Sequence, residues 1–299
     1  MEGIQSFSAN TYETRSKKPK SGVGSGLFNF VVTSLIPETI VSAILIKRME
    51  KLNGSLTADE IVLIDKAVAK TIEQSGMKQK GLGIIEASAE NTDEIKKIFE
   101  RESELGIFKH LPKPIRKIRE LLNKIVYVQL MKGQNACHAN LQNKIIIPKN
   151  KLRAVLPHEM GHAMNSLLSK SSRILQKCRP LSWLTLPIGL IALFKNKKAE
   201  GEKPKNFIDK TTTFIKNHAP ALVIASWLPE VAEEGLASIR GYKAVKEFIT
   251  PDLAKKVMRA NILGFTSYVF MSAILAFAVH EASKGKDKAH QISLDKINK

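Results

Sequence analysis

Cysteine is scarce in this chain: two residues, Cys137 and Cys178, in 299. That excludes a disulfide framework and a cysteine-rich metal module, so any metal would rest on histidine and carboxylate. Acidic residues are also few, 28 against 47 lysines and arginines, for a net charge of +19. Such a field draws a protein toward polyanions, either nucleic acid or an anionic membrane face. Aromatic residues make up only 6% of the chain, and no RNA- or DNA-binding signature is present. The basic residues cluster instead beside uncharged stretches, in Arg15–Lys20, Lys113–Lys124, Lys195–Lys216 and Lys284–Lys288. That arrangement is typical of cytoplasmic juxtamembrane segments. The expected partner is an anionic membrane surface, with no specific nucleic acid.

What is present is enough apolar residue, 43%, and enough length for a real core. Residues 1–25 are polar and rich in Ser, Gly and Lys, and read as a disordered basic tail without a cleavable signal peptide. Residues 26–48 are apolar but interrupted by Pro37 and Glu38. A carboxylate at mid-membrane is costly, so this stretch reads as an interfacial or core helix, with a spanning helix as the weaker option. Helical spacing follows over Ser55–Ser75, and Thr92-Asp93-Glu94 opens a helix running to about Glu104. Leu82–Ile85 reads as a short strand. Pro112 and Pro114 then punctuate the chain, and Ile115–Leu122 resumes helical spacing. From Ile125 the pattern turns strand-like: Val126–Leu130, a Lys132-Gly133 turn, Asn135–His138, and Lys144–Pro148.

A small sheet thus leads into His158-Glu159-Met160-Gly161-His162, an H-E-x-x-H pattern within an apolar stripe of helical period. Histidines four apart lie one above the other on a helix, so both imidazoles can reach one metal ion. Glu159 stands beside them, where its carboxylate can polarise a water held by that metal. Gly161 leaves room for another backbone to approach. Pro157 either kinks this helix or begins it.

A catalytic zinc usually takes a third protein ligand. The metzincin pattern needs glycine at position 165 and histidine at position 168, and this chain has Asn165 and Leu168. That clan is excluded. The remaining common solution is a glutamate from a later helix, and Leu228–Ser238 supplies Glu230, Glu233 and Glu234 in apolar surroundings. Carboxylates in such a place need a partner or a metal. Two apolar stretches lie on the way or alongside, 181–194 and 219–229, each short for a membrane span. A third, 260–279, runs twenty residues without a charge and is the best transmembrane candidate. The chain then ends in a basic tail, 280–299.

The run Asn135-Ala136-Cys137-His138, the strand ending Ile145-Ile146-Ile147, the segment Val155–Ala163 and Glu234-Gly235-Leu236-Ala237-Ser238 together resemble the core of HtpX-like and YugP-like membrane zinc peptidases. The resemblance covers roughly Val126 to Ala244. It implies an α+β, predominantly helical protein: a zincin-like core over 49–259, with a small sheet before the H-E-x-x-H helix, plus hydrophobic membrane-associated helices. It further implies His158, His162 and Glu234 as Zn2+ ligands, with Glu159 as general base. Glu230 and Glu233 remain alternatives to Glu234. His138, Arg240 and Tyr242 are weaker candidates for substrate or transition-state contacts; His110, His218, His280 and His290 lack metal-ligand spacing. The expected activity is a gluzincin-type endopeptidase acting on polypeptide, held at a membrane with its site toward the cytoplasm. Its rivals are a soluble peptidase that buries the apolar stretches, and a non-catalytic basic protein binding membranes or nucleic acid with an H-E-x-x-H pattern arising by chance.

Overall fold

The computed structural model describes residues 22–104, 113–198 and 202–295; the N-terminal tail to residue 21, His110 and Pro112 lie outside them. The described chain is predominantly helical around one small sheet. In order it forms α1 (Val23–Gly54), α2 (Ala58–Gln74), β1 (Gly83–Ala87), α3 (Thr92–Glu104), α4 (Lys113–Met131), β2 (Cys137–Ala139), β3 (Lys144–Pro148), α5 (Leu156–Leu168), α6 (Lys170–Cys178), a 3₁₀ segment (Arg179–Leu184), α7 (Thr185–Phe194), α8 (Phe207–Val245) and α9 (Pro251–Asp295).

The three strands lie in the order β1-β3-β2, with β1 parallel and β2 antiparallel to β3. Successive side chains of a strand point to opposite faces. In β3, Ile145 and Ile147 enter a core shared with Ile64 and Val68 of α2, Leu156 and Met160 of α5, and Leu253 and Val257 of α9. Ile146 points the other way, to Ile95 and Ile98 of α3 and Leu130 of α4. A strand covered on both faces reads as an unbroken apolar run, as Ile145-Ile146-Ile147 does.

Val126–Leu130, expected as a strand, is the last part of helix α4. Its β-branched residues favour a strand locally, but Tyr127, Leu130 and Met131 share one helical face at i, i+3 and i+4, and that face packs on the sheet. The α2 start has a reciprocal cap, with the Thr57 side chain accepting from Glu60 N–H and Glu60 accepting from Thr57 N–H. Pro157 falls in the first turn of α5, where its missing N–H costs nothing, so the helix begins there rather than kinking.

The apolar stretches resolve differently. Residues 181–194 become the end of the 3₁₀ segment and α7, while 219–229 are interior to α8, which passes through both Pro220 and Pro229. Residues 260–279 lie within α9, which continues to Asp295 rather than ending in a tail at residue 280. The extension is held because α1 and α9 run antiparallel along their lengths. Asn29 Nδ2 donates to the Glu281 carbonyl, Gly26 lies against Ala282 and Lys286, and at the other end Lys256 Nζ reaches the Ser55 carbonyl. The buried Lys216 ammonium donates to the Ala192 carbonyl and pairs with Asp287, while buried Lys286 donates to the Lys195 carbonyl. Those carbonyls belong to the last turn of α7 and the residue after it, so two lysines from other helices satisfy them.

The stretch expected as an interfacial or core helix is a helix, and α1 is continuous through Pro37 for 32 residues. Its apolar side chains mostly face outward: Phe28 is 68% exposed, and Leu27, Leu35, Ile36 and Ile40 are exposed as well. Helices α1 and α9 are both long and apolar enough to cross a membrane. Glu38, inside the apolar stretch, lines a cleft of about 280 Å³ beside Trp227 and Tyr268.

Helices α5 and α8 cross at two glycines. A Cβ on Gly161 would stand 2.0 Å from the Ala237 carbonyl oxygen, and one on Gly241 would stand 1.9 Å from that of Pro157. Both obstacles are backbone and cannot rotate away. Gly161→Ala and Gly241→Ala are each expected to cost at least about 1–3 kcal/mol, the range for overpacking a tight contact. Thermal unfolding measures this, and Gly264→Ala, where a Cβ meets nothing within 4 Å among the described residues, is the unperturbed comparison.

Candidate metal centre

The crossing of α5 and α8 assembles the site. On α5 the stripe facing α8 is Pro157, His158, Gly161, His162 and Asn165; on α8 the facing stripe is Glu230, Glu233, Glu234, Ala237, Ser238 and Gly241. Both sets follow the i, i+3, i+4 rule. With glycine at the two closest points, the remaining positions of each stripe are brought within side-chain reach of one another.

Three ligand-type atoms converge. His158 Nε2 lies 3.1 Å from His162 Nε2, Glu234 Oε2 lies 3.1 Å from His158 Nε2, and it lies 3.3 Å from His162 Nε2. Donors about 2.0–2.1 Å from a tetrahedral ion are separated from one another by about 3.3–3.4 Å. The triangle is therefore close to one face of such a tetrahedron, and the group could hold a metal ion. All three residues are buried.

The atoms pointing away from the triangle are also occupied. His158 Nδ1 is 3.0 Å from Ser238 Oγ, and His162 Nδ1 is 3.0 Å from Glu233 Oε1. Partners of this kind fix the ring orientation and present Nε2 outward. Glu233, weighed in the sequence as an alternative ligand, is the buried carboxylate behind His162. It also accepts from Asn165 Nδ2 at 2.9 Å, Gln176 Nε2 at 2.8 Å and Arg179 Nη1 at 3.0 Å. Glu230, the other alternative, pairs with Arg179 at 3.0 Å and stands outside the triangle.

Burial alone would push the Glu233 carboxyl up, but the His162 and Arg179 cations beside it hold it down at about 2. Glu234 is lowered for the same reason, against its burial. Burial opposes charge on His162, yet Glu234 and Glu233 outweigh it and raise that imidazole well above its ordinary value. Glu159 is buried next to His158; desolvation raises its carboxyl, with His162 and His158 pulling in the opposite sense.

The weaker candidates part ways. His138 faces Ile145 across β2 and β3, and directly opposed residues share a face, so it projects to the α5 side of the sheet. Its Nε2 is sealed from solvent and has no hydrogen-bond partner among the described residues. Arg240 Nη1 donates to Asn165 Oδ1 at 2.6 Å, behind Glu233 and not in the triangle. Tyr242 packs against the core of α2, α5 and α9 instead of turning to the metal group. Sequence reasoning missed Arg179, which stands at the start of the 3₁₀ segment and bridges Glu230, Glu233 and Glu234. Its only sequence signal is that it immediately precedes the uncharged stretch ending at Phe194.

Comparison of the chain with protein families, characterised proteins and solved structures finds no match.

Burial, with the neighbouring His162 adding to it, depresses the His138 imidazole to about 3. A group depressed on folding is protonated first in the unfolded chain, so stability falls as pH drops from about 6.5. His138 should therefore stay neutral through the range of about pH 5–8 in which an ordinary histidine titrates. Imidazole resonances followed by NMR, assigned with His138→Gln, check this; a midpoint near 6.5 would contradict the buried placement.

Proposed function

We propose that the protein is a zinc-dependent endopeptidase of the gluzincin type, associated with a membrane and related in its core to the HtpX-like and YugP-like peptidases it resembles. One observation carries the reading: the His158, His162 and Glu234 triangle with edges of 3.1–3.3 Å, backed by Ser238 and Glu233 on the far side of the two imidazoles. Two histidines and one carboxylate form a donor set suited to zinc at an open catalytic site, and the lack of any thiolate in the group argues against a closed structural one. On this reading the helices and small sheet are a zincin-like core.

Zinc bound there supplies a Lewis acid that acidifies water and polarises a peptide carbonyl. The chain's own residues do the rest. Glu159, next to His158 on the same helix, takes a proton from water as its oxygen adds to the scissile carbon, and delivers that proton to the amide nitrogen as the C–N bond breaks. His158 and His162 hold their orientation through Ser238 and Glu233. Among the described residues strand β2 pairs with β3 alone, and its other edge offers backbone groups to an extended substrate. His138 lies on that strand, whereas Arg240 is committed to Asn165 behind Glu233.

The membrane setting rests on α1 and α9. The outward-facing apolar residues of α1 disfavour a soluble protein that buries them, since exposed apolar area of this extent needs a cover. Ser238 and Asn261 exchange hydrogen bonds, so the metal group lies level with the beginning of the α9 apolar stretch. Lys255, Lys256 and Arg259 precede that stretch; by the positive-inside rule this end, and the site with it, faces the cytoplasm.

Zinc analysis alongside hydrolysis of casein tests the activity. Glu159→Gln is expected to keep stoichiometric zinc and lose hydrolysis; Glu234→Ala is expected to lose zinc. An active Glu159→Gln enzyme, or purified protein that binds polyanions in a salt-dependent way and holds no zinc, would reject the peptidase. Separately, the protein should stay with membranes through high salt and alkali; release by either would reject the spans.

A further inference from the structure

A carboxylate can offer a metal one oxygen or two, and the surroundings of Glu234 bear on which. Its Oε2 is the oxygen that meets His158 Nε2 and His162 Nε2, at 3.1 and 3.3 Å. Its Oε1 accepts instead from Arg179 Nη2, at 2.9 Å. The same guanidinium is fixed by two more carboxylates: Nη2 reaches Glu230 Oε1 and Nη1 reaches Glu233 Oε2, each at 3.0 Å. Its backbone is held as well. Arg179 opens the 3₁₀ segment ahead of Pro180, and its carbonyl accepts from Ser182 Oγ at 2.9 Å. The fork is thus anchored from several directions and aimed at one oxygen of one ligand.

We infer that Arg179 is a positioning residue that keeps Glu234 a one-oxygen ligand, and so leaves the coordination positions that water and the peptide carbonyl need. The inference rests on the zinc-peptidase reading of the same site. A catalytic zinc works with three protein ligands and an open position, expanding when substrate arrives. If both Glu234 oxygens bound, that room would be filled by the protein. Arg179 competes for Oε1 by a charge-assisted hydrogen bond. A lysine would carry the charge, but as a single point without the fixed fork that serves Glu233 and Glu234 at once.

This role separates from a structural one by its sign on metal binding. In Arg179→Gln a freed Oε1 turns to the metal, so zinc is held at least as tightly as in the parent while turnover falls. A brace whose loss merely loosened the site would lower both. The full-length protein in detergent, loaded with Zn2+ or Co2+, serves for the measurement. X-ray absorption at the zinc edge should show about one more oxygen or nitrogen neighbour in Arg179→Gln. The visible bands of the Co2+ form should weaken, as they do when four-coordinate cobalt gains a ligand. The kcat should drop by at least about ten-fold, the scale of losing a ligand's supporting partner, with KM little changed.

Arg179→Lys keeps the charge among the three glutamates, so it carries the same test should the glutamine variant not fold. Glu230→Gln leaves the Arg179–Glu234 contact in place and should alter neither spectrum nor metal affinity. Unchanged coordination in a folded Arg179 variant, or zinc loss in step with activity loss, would overturn the inference while leaving the peptidase intact. Parent protein that takes up no zinc would overturn the peptidase reading itself.

Discussion

The approach of two helix backbones at Gly161 against Ala237 and Gly241 against Pro157 is the constraint on which the site depends. A helix carries its side chains outward, and two helices in ordinary contact keep their axes about 8–10 Å apart. Short donors such as Glu234 and Ser238 must nonetheless reach the rings of His158 and His162. The two glycines allow the closer approach, and each side chain's place along its helix then follows from the period. Everything at the seam is specified by one crossing: the triangle, the Ser238 and Glu233 contacts behind the rings, and Asn165 between Glu233 and Arg240.

Burying this much charge has a cost that the network meets by mutual compensation. Glu233 and Glu234 are fully buried, and each carboxylate faces both a histidine and the Arg179 guanidinium. Removing one member would strand the others in a poorly solvated site, which is why such groups behave as a unit rather than as a sum of pairs. The sheet contributes from the opposite side. With Ile145 and Ile147 wedged against α5 and α2, and Ile146 against α3 and α4, β3 fixes the height at which α5 begins.

Much of the site was legible because its information is local. The H-E-x-x-H spacing places two imidazoles on one face whatever the rest of the chain does, and the Glu230–Ser238 segment declares itself by putting carboxylates among apolar residues. Strands β1, β2 and β3 were legible from their apolar runs and turn residues, Gly133 and Pro148 among them. What stayed hidden is tertiary. Val126–Leu130 has strand propensity but serves as a helix face because Tyr127, Leu130 and Met131 find the sheet at helical spacing. Tyr242 is eight residues beyond Glu234 and looked available, yet it turns into the core. Arg179 carries no local pattern at all; its meaning comes from three glutamates more than fifty positions away. Pro37 and Glu38 interrupt the apolar run but not the helix, since α1 runs through both.

The pairing of α1 with α9 fixes the order in which the molecule can be completed. Asn29 bonds to the backbone of Glu281, 252 positions later, so α1 waits for α9. Throughout synthesis the apolar flank of α1 has no intramolecular cover and must be sheltered by lipid or by a folding factor. The H-E-x-x-H helix likewise waits for α8, and the Ser238 that orients His158 is itself tied to Asn261 on α9. A ribosome-bound chain therefore holds the histidines but not the finished centre. The metal group therefore cannot assemble until α8 has packed on α5 and α9 has met α8, and the two histidines without those helices are an incomplete centre.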